Sequence, residues 1–100
     1  MLNQVVLVGE LASLHVAAPT KSGEDRDPKI LTLKVMNRED KGYSYIPVFI
    51  ESQEIQENVN NSISNGSIKL GMKIGIQGTL ESYHYSCKII VTKLTYLSPQ

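Results

Sequence analysis

The chain has 100 residues, and its ten basic and ten acidic side chains give a formal net charge of zero. A chain of this length forms one domain around one core, and the zero charge excludes a general electrostatic attraction to nucleic acids or membranes. Cys87 is the single cysteine, which excludes an internal disulfide and a metal site made of cysteines. The apolar run at residues 5–8 is too short for a signal peptide or a membrane span. We therefore expect a single cytoplasmic domain over residues 1–100, with no membrane partner.

The charge is distributed unevenly along the chain. Residues 61–100 contain four lysines and one glutamate, a net charge of +3, which leaves a net charge of −3 for residues 1–60. We therefore expect an anionic ligand to bind the second part of the chain.

The first predicted strand is rich in β-branched residues. It spans residues 3–11 and can continue to residue 16, and Gly9 predicts a bulge or bend near its end. Residues 17–29 contain two prolines, one glycine and six charged side chains, a composition that predicts a long exposed loop. Positive and negative charges balance in this loop, so we do not expect it to act as a basic finger.

Two half-buried strands follow, each with one aliphatic face. In the second strand, residues 30–37, the side chains predicted to face inward are Leu31, Leu33 and Val35, and those predicted to face outward are Thr32, Lys34 and Met36. After a polar turn at residues 38–42, a third strand at residues 43–51 places its aromatic side chains opposite its aliphatic ones. Pro47 lacks an N–H group, which predicts a bulge or an unpaired amide.

The hydrophobic period then changes to that of a helix. Ile55, Val59 and Ile63 lie on one side of a predicted short helix at residues 52–64. Glutamates near its start suit the positive end of the helix dipole. Gly66 is expected to end the helix, since glycine favours the left-handed conformation found there.

Three closely spaced glycines mark the fourth predicted strand, residues 70–80. They stand at positions 71, 75 and 78 and predict a tight turn before the strand, followed by points of strong coiling or close backbone approach. The residues whose alternation predicts a core-facing position are Met72, Ile74, Ile76, Gly78 and Leu80. A turn at residues 82–86 and a last β-rich run at residues 88–97 are expected to follow.

Three strands, one helix and two further strands are the element order of a five-stranded Greek-key barrel, provided that the long first strand bends across two parts of the sheet. We therefore predict an all-β protein with one short helix and the OB-fold. Barrels of this kind bind oligonucleotides on the outward face of the second and third strands and with the neighbouring loops.

Five segments, in this order, resemble the bacterial single-stranded DNA-binding protein family over nearly the whole chain. They are N-Q-V-V-L-V-G-E-L at residues 3–11, P-T-K-S-G at 19–23, L-T-L-K-V-M-N-R at 31–38, Y-I-P-V-F-I at 45–50 and G-M-K-I-G-I-Q-G-T-L at 71–80. The resemblance implies single-stranded DNA binding in replication, recombination or repair, in the nucleoid region of the cytoplasm. By its length and its lack of an acidic tail, the chain is similar to primosomal replication protein B, which is itself an OB-fold.

The resemblance also implies roles for two tyrosines. Tyr45 stands where the family has a base-stacking aromatic at the start of the third strand, and Tyr85 where it has another in the hairpin after the fourth. Glu51 stands where the family commonly has a further aromatic at the end of the third strand. The family's usual aromatic after the second strand is also missing from residues 38–41.

The remaining candidate binding residues follow from residue type and position. The candidate phosphate contacts are Lys34, Arg38, Lys41, Lys73 and Lys88. Lys34 and Lys73 point away from the aliphatic faces of their strands. Tyr43, Phe49 and Tyr83 suit either base stacking or contact with a second subunit, and the pattern leaves both interpretations open.

The sequence shows no pattern that predicts catalysis. His15 and His84 are far apart, and neither has carboxylates, cysteines or a serine at a spacing typical of a metal or catalytic site. We therefore predict a non-enzymatic protein with no cofactor. From the predicted barrel and the family resemblance, we expect it to bind single-stranded DNA with little sequence preference. Because few basic residues face the ligand, we expect a homodimer or homotetramer. The alternative is a protein-interaction OB module that binds replication proteins in a primosome or replication assembly, which the neutral charge and Glu51 favour.

Overall fold

Five strands and one helix follow one another in the order that the sequence predicts. The computed structural model describes residues 2–15 and 29–97. Its strands are β1 (Val5–His15), β2 (Lys29–Met36), β3 (Tyr43–Ile50), β4 (Lys73–Tyr83) and β5 (Ser86–Tyr96), with the helix α1 (Gln53–Ser64) between β3 and β4 and a short 3-10 turn (Arg38–Asp40) between β2 and β3. The predicted loop at residues 17–29 lies outside the described residues, except that Lys29 begins β2.

The strands close into a barrel in the order β1-β2-β3-β5-β4, which confirms the predicted five-stranded barrel. Closure depends on β1, because its first part pairs with β4 and its second part pairs with β2. Glu10 is the residue where the two pairings meet, opposite Lys73 on β4 and Lys34 on β2. A short parallel pairing of Val48 and Phe49 with β5 completes the circuit.

Gly9 allows β1 to approach β2 closely. A Cβ atom at this position would lie 2.7 Å from the carbonyl oxygen of Lys34, which no ordinary side chain tolerates. The pairing with β2 also shifts register between Leu11 and Ser13, and such a bulge bends the strand and increases its twist. The predicted bend near Gly9 is therefore confirmed, with the irregular pairing a few residues further along.

The inward faces of the strands form one hydrophobic core. Its fully buried members include Leu33, Val48 and Ile74, and α1 adds Val59 to the same cluster. The side chain of Ser52 accepts a hydrogen bond from the backbone N–H of Ile55 and caps the start of α1.

Two further contacts attach α1 to the barrel. Within the core, Gln56 Nε2 donates to the carbonyl oxygen of Ile50 at 2.7 Å. Tyr96, on β5, donates its hydroxyl to Ser62 at 3.2 Å. Gly66, with a φ of 78°, follows the end of the helix as predicted.

Two of the three glycines, Gly71 and Gly78, act as the sequence predicts, whereas at Gly75 the nearest contact of a Cβ atom would be a side-chain carbon of Leu97 at 3.2 Å. Gly71 has a φ of 88° in the turn before the strand. A Cβ atom at Gly78 would overlap the carbonyl oxygen of Ile90 on β5, and the β4–β5 register shifts between Gln77 and Gly78. These glycines therefore allow the chain to turn and the two strands to come close together.

The prediction that Leu80 faces the core is wrong, since 46% of its surface is exposed. The pairing of β4 with β1 ends at Gly78, so beyond that point β4 has a strand on one side only. On its other side, Asn3 makes two side-chain hydrogen bonds to the backbone of Leu80, at 2.9 and 3.0 Å. The β4–β5 hairpin therefore extends past the core, and Leu80 lies on this extension.

Two local predictions are also corrected. The turn predicted at residues 82–86 is shorter, because β4 and β5 stay paired up to Tyr83 and Ser86 and leave only His84 and Tyr85 between them. Pro47 lies opposite Thr32 in regular register, so the expected bulge is wrong. β5 pairs with β3 only from Val48 onward, so the missing N–H of proline removes no bond to that strand.

Candidate nucleic-acid interface

The outward faces of β2 and β3 bring a lysine and two tyrosines together. Lys34 lies directly opposite Tyr45, and its Nζ atom lies 4.2 Å from the centroid of the Tyr43 ring. Both tyrosine side chains point out of the barrel because their positions alternate with inward Ile46 and Val48. Tyr43 is 52% exposed and Tyr45 is 61% exposed. This part of the barrel presents exposed aromatic rings beside a positive charge, a combination that attracts flat, anionic ligands.

A second aromatic cluster lies where the end of β3 meets the β4–β5 hairpin. The rings of Phe49 and Tyr83 have centroids 5.9 Å apart, and the His84 ring meets Tyr83 edge-on at 4.7 Å. Lys88 Nζ lies 5.3 Å from the Phe49 centroid and 5.1 Å from the Tyr83 centroid. The hairpin extension beyond the core therefore brings Tyr83 and Lys88 beside β3.

Lys88 is also paired with a carboxylate. Its Nζ atom donates to Glu51 Oε2 at 2.8 Å, and 18% of the lysine side chain is exposed against 42% of the glutamate side chain. The hydrogen bond with Glu51 raises the pKa of Lys88 above its ordinary value. Lys88 is therefore positively charged at neutral pH, but part of its charge is already matched by Glu51.

The two clusters lie on the same side of β3. Tyr43 and Phe49 are six residues apart, an even number, so their side chains share a face and are separated by about 20 Å along the strand. We call this surface the aromatic face; its residues are Lys34, Tyr43, Tyr45, Phe49, Tyr83 and Lys88. All six are candidate binding residues in the sequence, with subunit contact left as an alternative for Tyr43, Phe49 and Tyr83, and the fold brings them onto one side of the barrel.

Tyr85 and Lys73 lie away from the aromatic face. Tyr85 is in the turn at the tip of the β4–β5 hairpin and is fully exposed. Lys73 is on β4, opposite Glu10, which separates it from Lys34 on β2. These two predicted binding residues extend the candidate interface only if a ligand also follows the hairpin tip or crosses β1.

Arg38 and Lys41 lie in the loop between β2 and β3. Asn37 holds this loop, since its backbone N–H donates to the carbonyl oxygen of Gly42 at 2.9 Å and its side-chain amide donates to that of Lys41 at 3.2 Å. Lys41 Nζ lies 3.4 Å from Glu39 Oε2, with both side chains largely exposed. The loop is adjacent to Tyr43, but its acidic side chains reduce its positive potential.

Glu51 was expected on the candidate binding face, but neither its pairing with Lys88 nor the position of Glu10 was predicted from the sequence. Glu10 lies two residues after the outward-pointing Val8, so strand alternation could have placed it on the outer surface. Only the strand pairing shows that it lies between Lys34 and Lys73. The pairing of Glu51 with Lys88 joins residues 37 positions apart. No local sequence pattern indicates a contact over that separation.

A second exposed surface is mainly apolar, and none of the residues that line its groove is charged. Val6 and Val8 point outward from β1 and are 61% and 51% exposed, and Leu97, beyond the end of β5, is 44% exposed. They surround a shallow groove above Gly75, where the absence of a side chain leaves space beside Leu97 and Val8. We call this the apolar face; it lies on β1, β4 and β5, whereas the aromatic face lies mainly on β2 and β3.

Two other kinds of feature are absent from the part of the chain that the structure describes. Residues 2–15 and 29–97 contain no group of three or more histidine, cysteine, aspartate or glutamate side chains arranged to hold a metal ion. In the same residues, no helix has the length and apolar character needed to cross a membrane.

The barrel is similar to solved structures, although no protein-family model and no curated protein sequence matches the chain. The N-terminal domain of the PriB protein from Thermoanaerobacter tencongensis, described as dimeric, is 20% identical, with 97% of this chain and 98% of that one covered at a TM-score of 0.64. A small single-stranded DNA binding protein from Mycoplasma pneumoniae is 22% identical, with 95% and 86% covered at 0.65. The mitochondrial single-stranded DNA binding protein Rim1 from S. cerevisiae is 12% identical, with 100% and 99% covered at 0.70. Together with the closed β1-β2-β3-β5-β4 strand order, these similarities show that the chain has the OB-fold.

Proposed function

We propose that this protein binds single-stranded DNA with little sequence preference, as a short member of the bacterial single-stranded DNA-binding protein family. The observation that carries the proposal is the aromatic face, where the Tyr43 ring of β3 and the Tyr83 ring of β4 lie 4.2 and 5.1 Å from lysine ammonium groups. Tyr45 is exposed on the same side of β3, opposite Lys34. The resemblance of the sequence and the names of the similar structures support the same function. The role is that of a non-enzymatic binder in replication, recombination or repair, in the cytoplasm and nucleoid.

Base stacking supplies the sequence-tolerant part of the binding. Each base stacked on an aromatic side chain contributes about 1–3 kcal/mol, and every base offers a π-face. Tyr45 is the most exposed ring of the aromatic face. Tyr43, Phe49 and Tyr83 continue the surface, and Tyr85 at the hairpin tip provides a further ring. A site of this size fits the range of about 4–16 nucleotides found for single OB-folds.

Phosphate contacts supply the salt-dependent part. We assign this role to Lys34 and Lys88, since their ammonium groups lie beside rings proposed to hold the bases. Lys73, Arg38 and Lys41 are secondary candidates at the edges of the interface. Each phosphate that is neutralised on a single strand contributes about −0.7 to the slope of log affinity against log salt concentration.

We further propose that the protein acts as a homodimer or homotetramer joined through the apolar face. Two copies of an uncharged surface can meet without like-charge repulsion, and burying Val6, Val8 and Leu97 removes exposed apolar area from water. Because the apolar and aromatic faces lie on different strands, the assembly would leave the aromatic face open in each copy. Several weak sites on one strand then bind with a higher effective affinity.

One observation favours a second function, that of a protein-interaction module in a primosome or replication assembly. Glu51 pairs with Lys88 on the aromatic face, and Glu10 lies between Lys34 and Lys73. Carboxylates in these positions oppose a DNA backbone but suit a protein partner with basic side chains. Partners captured from a bacterial lysate with and without nuclease distinguish the two functions, because a contact made through DNA is lost after nuclease treatment.

Fluorescence titration of labelled oligothymidine tests the primary proposal. The protein is expected to bind at low salt, with an affinity that falls as salt concentration rises at a slope corresponding to a small number of phosphates. Absence of measurable binding at low salt, by a protein shown by circular dichroism to be folded, would contradict the proposed function.

A further inference from the structure

Lys88 is the most constrained cation of the aromatic face. Its ammonium group contacts Glu51 Oε2 at 2.8 Å and lies over the rings of Phe49 and Tyr83 at 5.3 and 5.1 Å. Only 18% of the side chain is exposed. A nucleotide that stacks on either ring therefore brings its phosphate close to a lysine that already has an anionic partner.

We propose that Glu51 sets the DNA affinity of this site by competing with a phosphate group for Lys88. This inference rests on the proposed function and adds an internal competitor to it. Glu51 lies directly after the last residue of β3 and reaches Lys88 on β5.

Competition is reasonable in energetic terms. An ion pair with a partly exposed partner stabilises a protein only weakly, so a phosphate can displace the carboxylate from Lys88. The displaced carboxylate remains on the aromatic face, however, and repels the phosphate that replaced it. The combined effect lowers affinity without blocking the site.

Glu51→Gln tests the competition directly. The substitution removes the negative charge and keeps the size of the side chain, and the amide oxygen can still accept a hydrogen bond from Lys88. We expect oligothymidine to bind this variant about fivefold more tightly than the wild type at low salt. The salt slope should become steeper by about 0.7, because the charge of Glu51 no longer offsets the phosphate that Lys88 neutralises.

Glu54→Gln is the matched control. Glu54 is exposed in the first turn of α1, three residues further along the chain, and its substitution makes the same change in net charge. The affinity of this variant should stay within about twofold of the wild type, since its charge is screened by solvent and salt. An equal gain in both variants would overturn the proposal, because the effect would then follow net charge alone.

A double substitution isolates the role of Lys88. In a Lys88→Gln background, Glu51→Gln should no longer steepen the salt slope, because the lysine that it releases is absent. The same steepening in that background would overturn the competition, as would a Glu51→Gln variant that binds no more tightly than wild type.

The outcomes also separate this inference from the proposed function. If the wild type binds oligothymidine and the Glu51→Gln variant binds it with the same affinity, the proposed function stands and the inference is wrong. Absence of binding by both the wild type and the variant, with both folded by circular dichroism, overturns the two together.

Discussion

The ammonium nitrogen of Lys34 lies 4.2 Å from the centroid of the Tyr43 ring on the neighbouring strand. One side of that ring is therefore occupied by a cation, which leaves less of it available to a base. Tyr45 lies directly opposite Lys34 and is more exposed than Tyr43. The two tyrosines share a face of β3 but are unequal as stacking surfaces.

Tyr45→Ala should therefore lower the affinity for oligothymidine more than Tyr43→Ala. Loss of one stacked base at about 1–3 kcal/mol corresponds to a decrease of about 5- to 150-fold for Tyr45→Ala. Fluorescence titration at constant salt concentration measures the affinity of each variant. Tyr45→Phe is the control, since it keeps the ring and removes only the hydroxyl group, and its affinity should remain close to that of the wild type. A loss in Tyr45→Phe as large as that in Tyr45→Ala would show that stacking is not the role of this ring.

Lys34→Ala should reduce the salt dependence of DNA binding. Removal of one phosphate contact makes the slope of log affinity against log salt concentration shallower by about 0.7. Lys69→Ala is the matched control, because Lys69 is exposed in the connection between α1 and β4, outside the aromatic face. Titrations at several salt concentrations compare the slopes. If the two variants change the slope equally, Lys34 has no specific role in phosphate contact.

Gly78→Ala should destabilise the barrel. A Cβ atom there would overlap the carbonyl oxygen of Ile90, and a backbone atom cannot move aside as a side chain can. Overpacking of this kind costs about 1–3 kcal/mol. Gly75→Ala on the same strand is the control, because its Cβ would contact side chains and no backbone atom, with the end of the flexible Leu97 side chain nearest at 3.2 Å. Urea denaturation of both variants measures the free energy of unfolding, and equal costs would contradict the close approach at Gly78.

Val8→Glu should disrupt the proposed assembly. It places a negative charge on the apolar face, and in a contact between two copies that charge would be buried without a partner, which is costly. We expect the solution mass, measured by light scattering, to fall toward the 11.1 kDa of one chain. Ser64→Glu, at an exposed position in α1, should leave the mass unchanged. A wild-type protein that is already monomeric at high concentration would rule out the apolar face as a subunit contact.

Local chemistry was sufficient to predict most elements of the fold. The alternation at Leu31 and Leu33 specifies which side of β2 is buried, since successive side chains of a strand point to opposite faces. The helix between Ser52 and Gly66 has an N-terminal cap and a glycine after its end, so its limits depend on residues within or beside it. Glycines 71 and 78 predicted a turn and a close approach from local requirements too, because Gly71 adopts a left-handed backbone conformation and Gly78 has no room for a Cβ atom.

Features that depend on distant residues were predicted less well. The alternation of β4 predicted a buried Leu80, but β1 stops pairing before that point, and the length of β1 cannot be read from residues 70–80. The six residues of the aromatic face were predicted one at a time, and the barrel topology brings them to one side. Glu51 and Lys88 contact each other because the end of β3 lies beside β5. Side-chain periodicity and backbone conformation act over a few residues and can be read along the chain, whereas charge pairing across the barrel depends on which strands become neighbours when it closes.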